Sequence, residues 1–258
     1  MKIAILQTDI SWEDKQANLT RVRKLILANN SKPDIIILPE TFNTGFTMDV
    51  KNMAETMDGQ TISGLKQLAS QTGSAICGSL IVIENDRYYN RLVFVEPSGK
   101  ILTYDKRHLF GMGGEDKDFS RGQSRLVFNY LGLKISAIIC YDLRFPVWSR
   151  NRADYDLLIC TANWPESRID VWSTLLKARA LENQCFVAGA NRIGTDKPGN
   201  HYTGGSVIID PKGAILNSLP ASGEGFVEAN LDLESLNDFR KKFPAWKDAD
   251  QFEIKVRG

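Results

Sequence analysis

Histidine is scarce in this sequence: His108 and His201 are the only two in 258 residues. A metal site would therefore have to rest on carboxylates, and the expectation is no metal. Cysteine is also sparse. Cys77, Cys140, Cys160 and Cys185 match no zinc or redox spacing, and no C-x-x-C occurs. They read as free thiols of a reducing compartment. Charge of one sign is lacking as well: 32 Lys and Arg face 31 Asp and Glu, for a formal net charge of +1. That balance excludes a global field drawing nucleic acid or an anionic membrane. Long apolar runs are missing too, and none approaches the ~18 residues of a membrane span. The opening MKIAILQTDISWEDKQ is broken by Asp9, Glu13 and Asp14, too early for a secretory signal. The expectation is a cytoplasmic protein with neither nucleic-acid nor membrane partners. Its 43% hydrophobic and 24% charged residues are ordinary for a globular chain, and the length suits one domain over 1–258.

What is present is a succession of β-branched runs. Candidate strands are 2–8, 34–39, 74–83, 90–96, 101–104, 134–140, 156–162, 185–191, 205–210 and 225–230. Several, such as DIIILPE and ISAIICYD, are nearly continuous apolar blocks, as in strands buried on both faces. YYNRLVFVE alternates and reads as half exposed. Helical patterns cover 14–28, 63–70 and 167–183, the last with Ser167 as its N-cap. Turns at 84–86, 97–99 and 211–213 separate hairpins. The mixture predicts an α/β or α+β chain, with layered sheets and helices outside.

Three segments at candidate strand ends carry reactive groups. They are Leu38-Pro39-Glu40-Thr41, Tyr104-Asp105-Lys106-Arg107-His108 and Ile139-Cys140-Tyr141-Asp142-Leu143-Arg144-Phe145-Pro146. Strand ends can deliver a carboxylate, an amine and a thiol from a rigid scaffold to one cleft. Taken singly, each has a plain reading: Glu40 as a solvated strand cap, Lys106 as a surface lysine, Cys140 as a core thiol.

Together, LPE, the YDKRH turn and C-Y-D-x-R-F-P resemble the nitrilase superfamily of carbon–nitrogen hydrolases, which uses a Glu–Lys–Cys triad in this chain order. The resemblance extends to Asn163-Trp164-Pro165, Arg179-Ala180-x-Glu182-Asn183-Gln184, Asn191-Arg192-x-Gly194 and the closing Lys242-Phe243-Pro244-Ala245-Trp246. The closing segment and YDKRHLF look most like the bacterial omega-amidase branch, which acts on 2-oxoglutaramate and 2-oxosuccinamate. The resemblance implies a four-layer α-β-β-α sandwich and a homodimer or higher homo-oligomer that pairs through a helical face; 167–183, with Trp172 and Leu176, is the candidate interface helix, although such anchors fit an interior equally well. It implies Cys140 as nucleophile, Glu40 as proton carrier, and Lys106 with the Tyr141 backbone N–H as oxyanion donors. Glu115, after the turn Gly111-Met112-Gly113-Gly114, would orient Lys106; its alternative is an acidic loop residue beside Asp116 and Asp118. Such chemistry needs no cofactor. The small-molecule substrate would be a carboxylate-bearing amide, other amide classes such as N-carbamoyl amines and a catalytically silent assembly subunit being the alternatives.

Arg144 offers a bidentate fork for the substrate carboxylate, or else a salt bridge with Asp142. Phe42, Phe110, Met112 and Trp164 flank these segments and read as pocket walls or as ordinary core. His201 and Tyr202 are further candidates for the site mouth. Arg179, Glu182 and Asn183 read as structural.

Overall fold

The computed structural model describes residues 1–255. In chain order the strands are β1 (Lys2–Gln7), β2 (Ile35–Ile37), β3 (Ala75–Glu84), β4 (Arg87–Val95), β5 (Ile101–Asp105), β6 (Leu126–Tyr130) and β7 (Leu133–Ile139), then β8 (Leu157–Ala162), β9 (Phe186–Asn191), β10 (Ile193–Thr195), β11 (His201–Thr203), β12 (Val207–Ile209), β13 (Ile215–Ser218) and β14 (Gly225–Asn230). They form two six-stranded sheets, β14-β1-β2-β3-β4-β5 and β13-β12-β9-β8-β7-β6, plus the ribbon β10-β11. The four longer helices are α1 (Lys15–Ala28), α2 (Gln60–Thr72), α3 (Ile169–Asn183) and α4 (Leu233–Lys242).

The two-residue period of a strand sorts the continuous apolar blocks into two cores. In β2, Ile35 and Ile37 face the second sheet, where they join Ile135, Ile139 and Ile159. Ile36 points the other way and packs with Val22 and Ile26 of α1 and Leu65 and Leu68 of α2. The second sheet presents Leu158, Cys160 and Val187 in one cluster with Trp172 and Leu176 of α3 and Leu236 of α4. The result is the four-layer α-β-β-α sandwich. Among the described residues no helix is long and apolar enough to cross a membrane.

Local signals mostly place the helix ends. Asp14 caps α1 by accepting from the Ala17 N–H at 2.9 Å, and Asp232 caps α4 through the Ser235 N–H at 3.0 Å. The expected Ser167 cap is a correction. Residues Glu166–Arg168 form a 3₁₀ turn, and α3 begins after it with no side-chain cap. Trp172 and Leu176 are a second correction as interface residues. Both are fully buried within the chain, against Gly189 of β9, and the Trp172 indole N–H donates to the Gly205 carbonyl at 2.8 Å. A β-carbon at residue 189 would lie 2.5 Å from the Leu176 side chain, so the close seating of α3 requires glycine there.

Candidate active site

The three reactive side chains each leave the C-terminal end of a strand. Glu40 follows β2, Lys106 follows β5 and Cys140 follows β7. The first two come from one sheet and the third from the other, so the site lies on the seam between the layers. Both strained backbone positions of the site are non-glycine: Thr41 has φ +40° and Cys140 has φ +45°. A β-branched threonine there persists only where neighbours hold it. Its N–H donates to Ser79 Oγ at 2.9 Å, and its hydroxyl accepts from Asn163 Nδ2 at 2.9 Å.

Lys106 and Glu40 are almost wholly buried, which rules out the surface-lysine and strand-cap readings. Lys106 Nζ donates to Glu40 Oε1 at 2.8 Å and lies 2.9 Å from Glu115 Oε2. Glu115, equally buried, also accepts from the Phe110 N–H at 2.6 Å, so it ties the Gly-rich turn to the lysine. Burial works against a charge on Lys106, but Glu115 and then Glu40 outweigh it and hold the ammonium above its ordinary value. Burial, reinforced by Glu40, pushes the Glu115 carboxyl upward, while Lys106 pulls it down. The second Glu40 oxygen accepts from the Asn163 N–H at 2.8 Å, and the Asn163 side chain donates to the Glu40 carbonyl at 2.8 Å. Asn163 follows β8, so these two bonds clasp the sheets across the seam.

Burial and the neighbouring Glu40 push the Cys140 thiol well above its ordinary value, and Lys106 opposes them. The resting group is therefore a thiol, and attack requires its proton to be taken up nearby. Cys140 opens the 3₁₀ turn Cys140–Arg144. In a first turn the Tyr141 N–H has no intrahelical acceptor, which leaves it available as a donor.

Asp142 holds this turn against the lysine loop. It is fully buried and accepts from Tyr104 OH at 2.7 Å, the His108 N–H at 2.8 Å, His108 Nδ1 at 2.8 Å and the Ile139 N–H at 3.0 Å. The His108 ring stacks on Phe145 with centroids 3.8 Å apart. Asp142→Ala would orphan several donors, each worth ~1–3 kcal/mol when left unpaired in the interior. We expect a stability loss of about 3 kcal/mol or more, read as a fall in the urea midpoint. An unchanged midpoint would show that the clasp contributes nothing.

The reactive groups open into a cavity of ≈ 550 Å³. Of the expected walls, Phe110, Met112 and Trp164 line it, as do Tyr141 and Arg144, and Met112 is 92% exposed at the rim. Phe42 is a correction. It is core, packed in the cluster beneath α1 and α2, and its ring comes within 3.1 Å of where a β-carbon on Gly78 would stand. The alternative reading of Arg144, a salt bridge with Asp142, does not hold, because Asp142 is occupied as described. Arg144 is exposed, lies 5.3 Å above the Trp164 ring, and has no ion-pair partner among the described residues. Tyr202 lines the cavity and donates to Asp196 at 2.8 Å, whereas His201 is exposed on β11 outside it. Arg179 pairs with Glu182 at 2.9 Å, as expected of structural residues.

Sequence reasoning missed Asn90, Asn163, Phe46 and Arg168. Phe46 faces the Lys106 ammonium at 5.2 Å, and the Arg168 guanidinium sits 5.5 Å from the Phe110 ring at the cavity wall.

Comparison with known proteins agrees with this geometry. The model of the carbon-nitrogen hydrolase family matches residues 2–241. The omega-amidase YafV of Yersinia enterocolitica is 44% identical over 252 residues, covering 98% of each chain. The 2-oxoglutaramate amidase of Bacillus subtilis is 37% identical over 256 residues, covering 95% of this chain and 96% of that one. A crystal structure of a CN-hydrolase superfamily protein from Xanthomonas campestris, with an arsenic adduct in its active site, superposes with a TM-score of 0.96. It is 38% identical and covers 99% of both chains.

Proposed function

This chain belongs to the carbon–nitrogen hydrolase family, and from that premise we propose that residues 1–258 form one omega-amidase domain. It releases ammonia from a short carboxylate-bearing amide such as 2-oxoglutaramate or 2-oxosuccinamate. One observation carries the reading: a buried lysine between two buried carboxylates shares a cavity with a thiol on a strained strand end. The printed activities of the Yersinia and Bacillus relatives support the substrate class.

The chemistry follows from the residues. Glu40 takes the Cys140 proton as sulfur adds to the amide carbonyl. The oxyanion forms against Lys106 Nζ and the Tyr141 N–H, where a preorganised donor is worth roughly 3–4 kcal/mol. The C–N bond then breaks, and Glu40 returns its proton to the nitrogen, which departs as ammonia. A thioester remains on Cys140. Water attacks it, Glu40 accepting a water proton; the C–S bond breaks, and that proton returns to the thiolate as the acid leaves. Glu115 keeps Lys106 in place throughout. Phe110, Met112 and Trp164 wall the substrate.

Arg144 is the proposed anchor for the far carboxylate. Arg144→Ala should lower kcat/KM for 2-oxoglutaramate by about 10–100-fold, the lower part of the range for a lost charge partner because this arginine is exposed. A neutral amide of equal length should lose far less. Equal losses for both amides, in a variant with unchanged melting, would move the anchor elsewhere, with Arg168 next. A homodimer or larger homo-oligomer in a cytoplasmic setting is part of the same proposal. Sedimentation of the full chain tests it.

A further inference from the structure

Asn90 is the polar group of the site that the chemistry above leaves without a role. It sits on β4 and is 1% exposed. Its side-chain Nδ2 donates to Glu40 Oε1 at 2.8 Å and to Glu115 Oε1 at 3.2 Å. Lys106 Nζ donates to the same two oxygens, at 2.8 Å and 3.0 Å. Two carboxylates therefore face each other across a pair of bridging donors, one cationic and one neutral. The Asn90 carbonyl also accepts from the Lys106 N–H at 3.0 Å, a main-chain bond that survives any substitution. Asn90 Oδ1 has no partner among the described residues. An asparagine with a buried unpaired oxygen is costly, and a ladder residue needs no such side chain.

We propose that Asn90 is a positioning residue whose amide holds Glu40 and Glu115 side by side as carboxylates, so that Glu40 rests in the form that can take the Cys140 proton. The inference rests on the reading of Glu40 as proton carrier. Two like charges so close cannot both persist without compensation, and hydrogen bonds donated to a carboxylate favour its charged form. Lys106 is one charge against two. The ionisable groups facing Glu40 are Lys106 after β5, Glu115 from the turn Glu115–Asp118, Cys140 after β7 and Cys160 of β8. Asn90 is the only neutral side-chain donor that bridges both carboxylates among the described residues. Without it, Lys106 alone would bridge the two carboxylates, and hydrogen bonding would no longer favour the charged form of both. Removing a donor disfavours the charged form of the base, so the acid limb of the rate profile should move to higher pH.

The test is kcat and KM for 2-oxoglutaramate from pH 5 to pH 9 in the full chain, for the unaltered protein, Asn90→Leu and Asn90→Asp. For Asn90→Leu the acid limb of kcat/KM should rise by about one to two units, as expected for losing one bond to a charged group. The rate should recover toward the unaltered value as pH increases, with KM within about twofold, because no substrate contact is lost. Asn90→Asp keeps the shape and adds an anion, so its limb should move in the same direction even if the leucine variant does not fold. A loss constant across pH, or a change confined to KM, overturns the proposal and leaves Asn90 as a packing residue. Glu40→Gln run alongside separates the two ideas. If it retains the unaltered activity, the proton-carrier reading fails; if it is inactive while the Asn90 limbs stay fixed, only the role of Asn90 fails.

Discussion

Cys140→Ala is expected to lower kcat for ammonia release by about 10⁴–10⁶-fold, the scale seen when a covalent nucleophile is deleted from a working constellation. The change removes a single sulfur from a half-buried position, so little packing is lost. The strained φ of +45° at this residue remains, since alanine meets the same backbone restriction. Melting temperature should therefore stay nearly constant while turnover disappears. Activity near the unaltered rate in a purified, well-folded variant would mean that another group attacks the amide.

Glu40→Gln is expected to cost about 10²–10⁴-fold in kcat, the usual contribution of a positioned acid–base group. The upper part of that range applies, because in the proposed mechanism one carboxylate serves both halves of the reaction. Hydrogen bonding sharpens the argument. Glu40 Oε1 accepts from Lys106 and Asn90, and Oε2 accepts from the Asn163 N–H. Glutamine has one acceptor, so its NH₂ must face at least one donor, and some stability will go with the activity. Combination with Cys140→Ala separates the effects. If the two residues act as a unit, the double variant should be hardly slower than Cys140→Ala alone. Multiplied losses would assign Glu40 to the fold and not to proton transfer. Lys106→Ala should follow the same non-additive pattern.

Much of this architecture is legible along the chain, for identifiable reasons. The apolar blocks at Ile35–Ile37, 135–139 and Leu157–Ala162 are buried on both faces, and composition alone signals that. Glu40 and Cys140 stand out because each is a polar or reactive residue just past such a block, whereas Lys106 follows the half-exposed β5 and is marked only by its YDKRH turn. Other elements give weaker signals. Strand β13, Ile215–Ser218, is exposed throughout and has no buried face to impose a pattern. Helix α4, Leu233–Lys242, buries only Leu236, so most of its turns look like solvated loop.

The supporting network was harder to see. Asn163 and Asp142 act on residues 123 and 34–38 positions away, and no local spacing encodes such partners. Asn90 did carry a signal. It shares a strand face with Leu92 and Phe94, both fully buried, and a polar side chain on an inward apolar face demands a partner inside. Reading YYNRLVFVE as half exposed concealed that demand. Phe42 failed in the opposite direction. It is two residues from Glu40, but the left-handed turn at Thr41 sends it into the core under α2, away from the cavity. Proximity in sequence does not survive a reversal of the backbone.

The central claim is that hydrolysis passes through an acyl group on Cys140, and partitioning with hydroxylamine tests it most directly. The unaltered protein would be run with 2-oxoglutaramate and with an ester of the same acyl group, each at several hydroxylamine concentrations. A shared thioester retains no memory of its leaving group. The ratio of hydroxamate to free acid should therefore be the same for amide and ester at each concentration, with no hydroxamate formed by Cys140→Ala. Ratios that differ between the two substrates, or free acid alone from both, would contradict a common acyl-enzyme and point to direct attack by water.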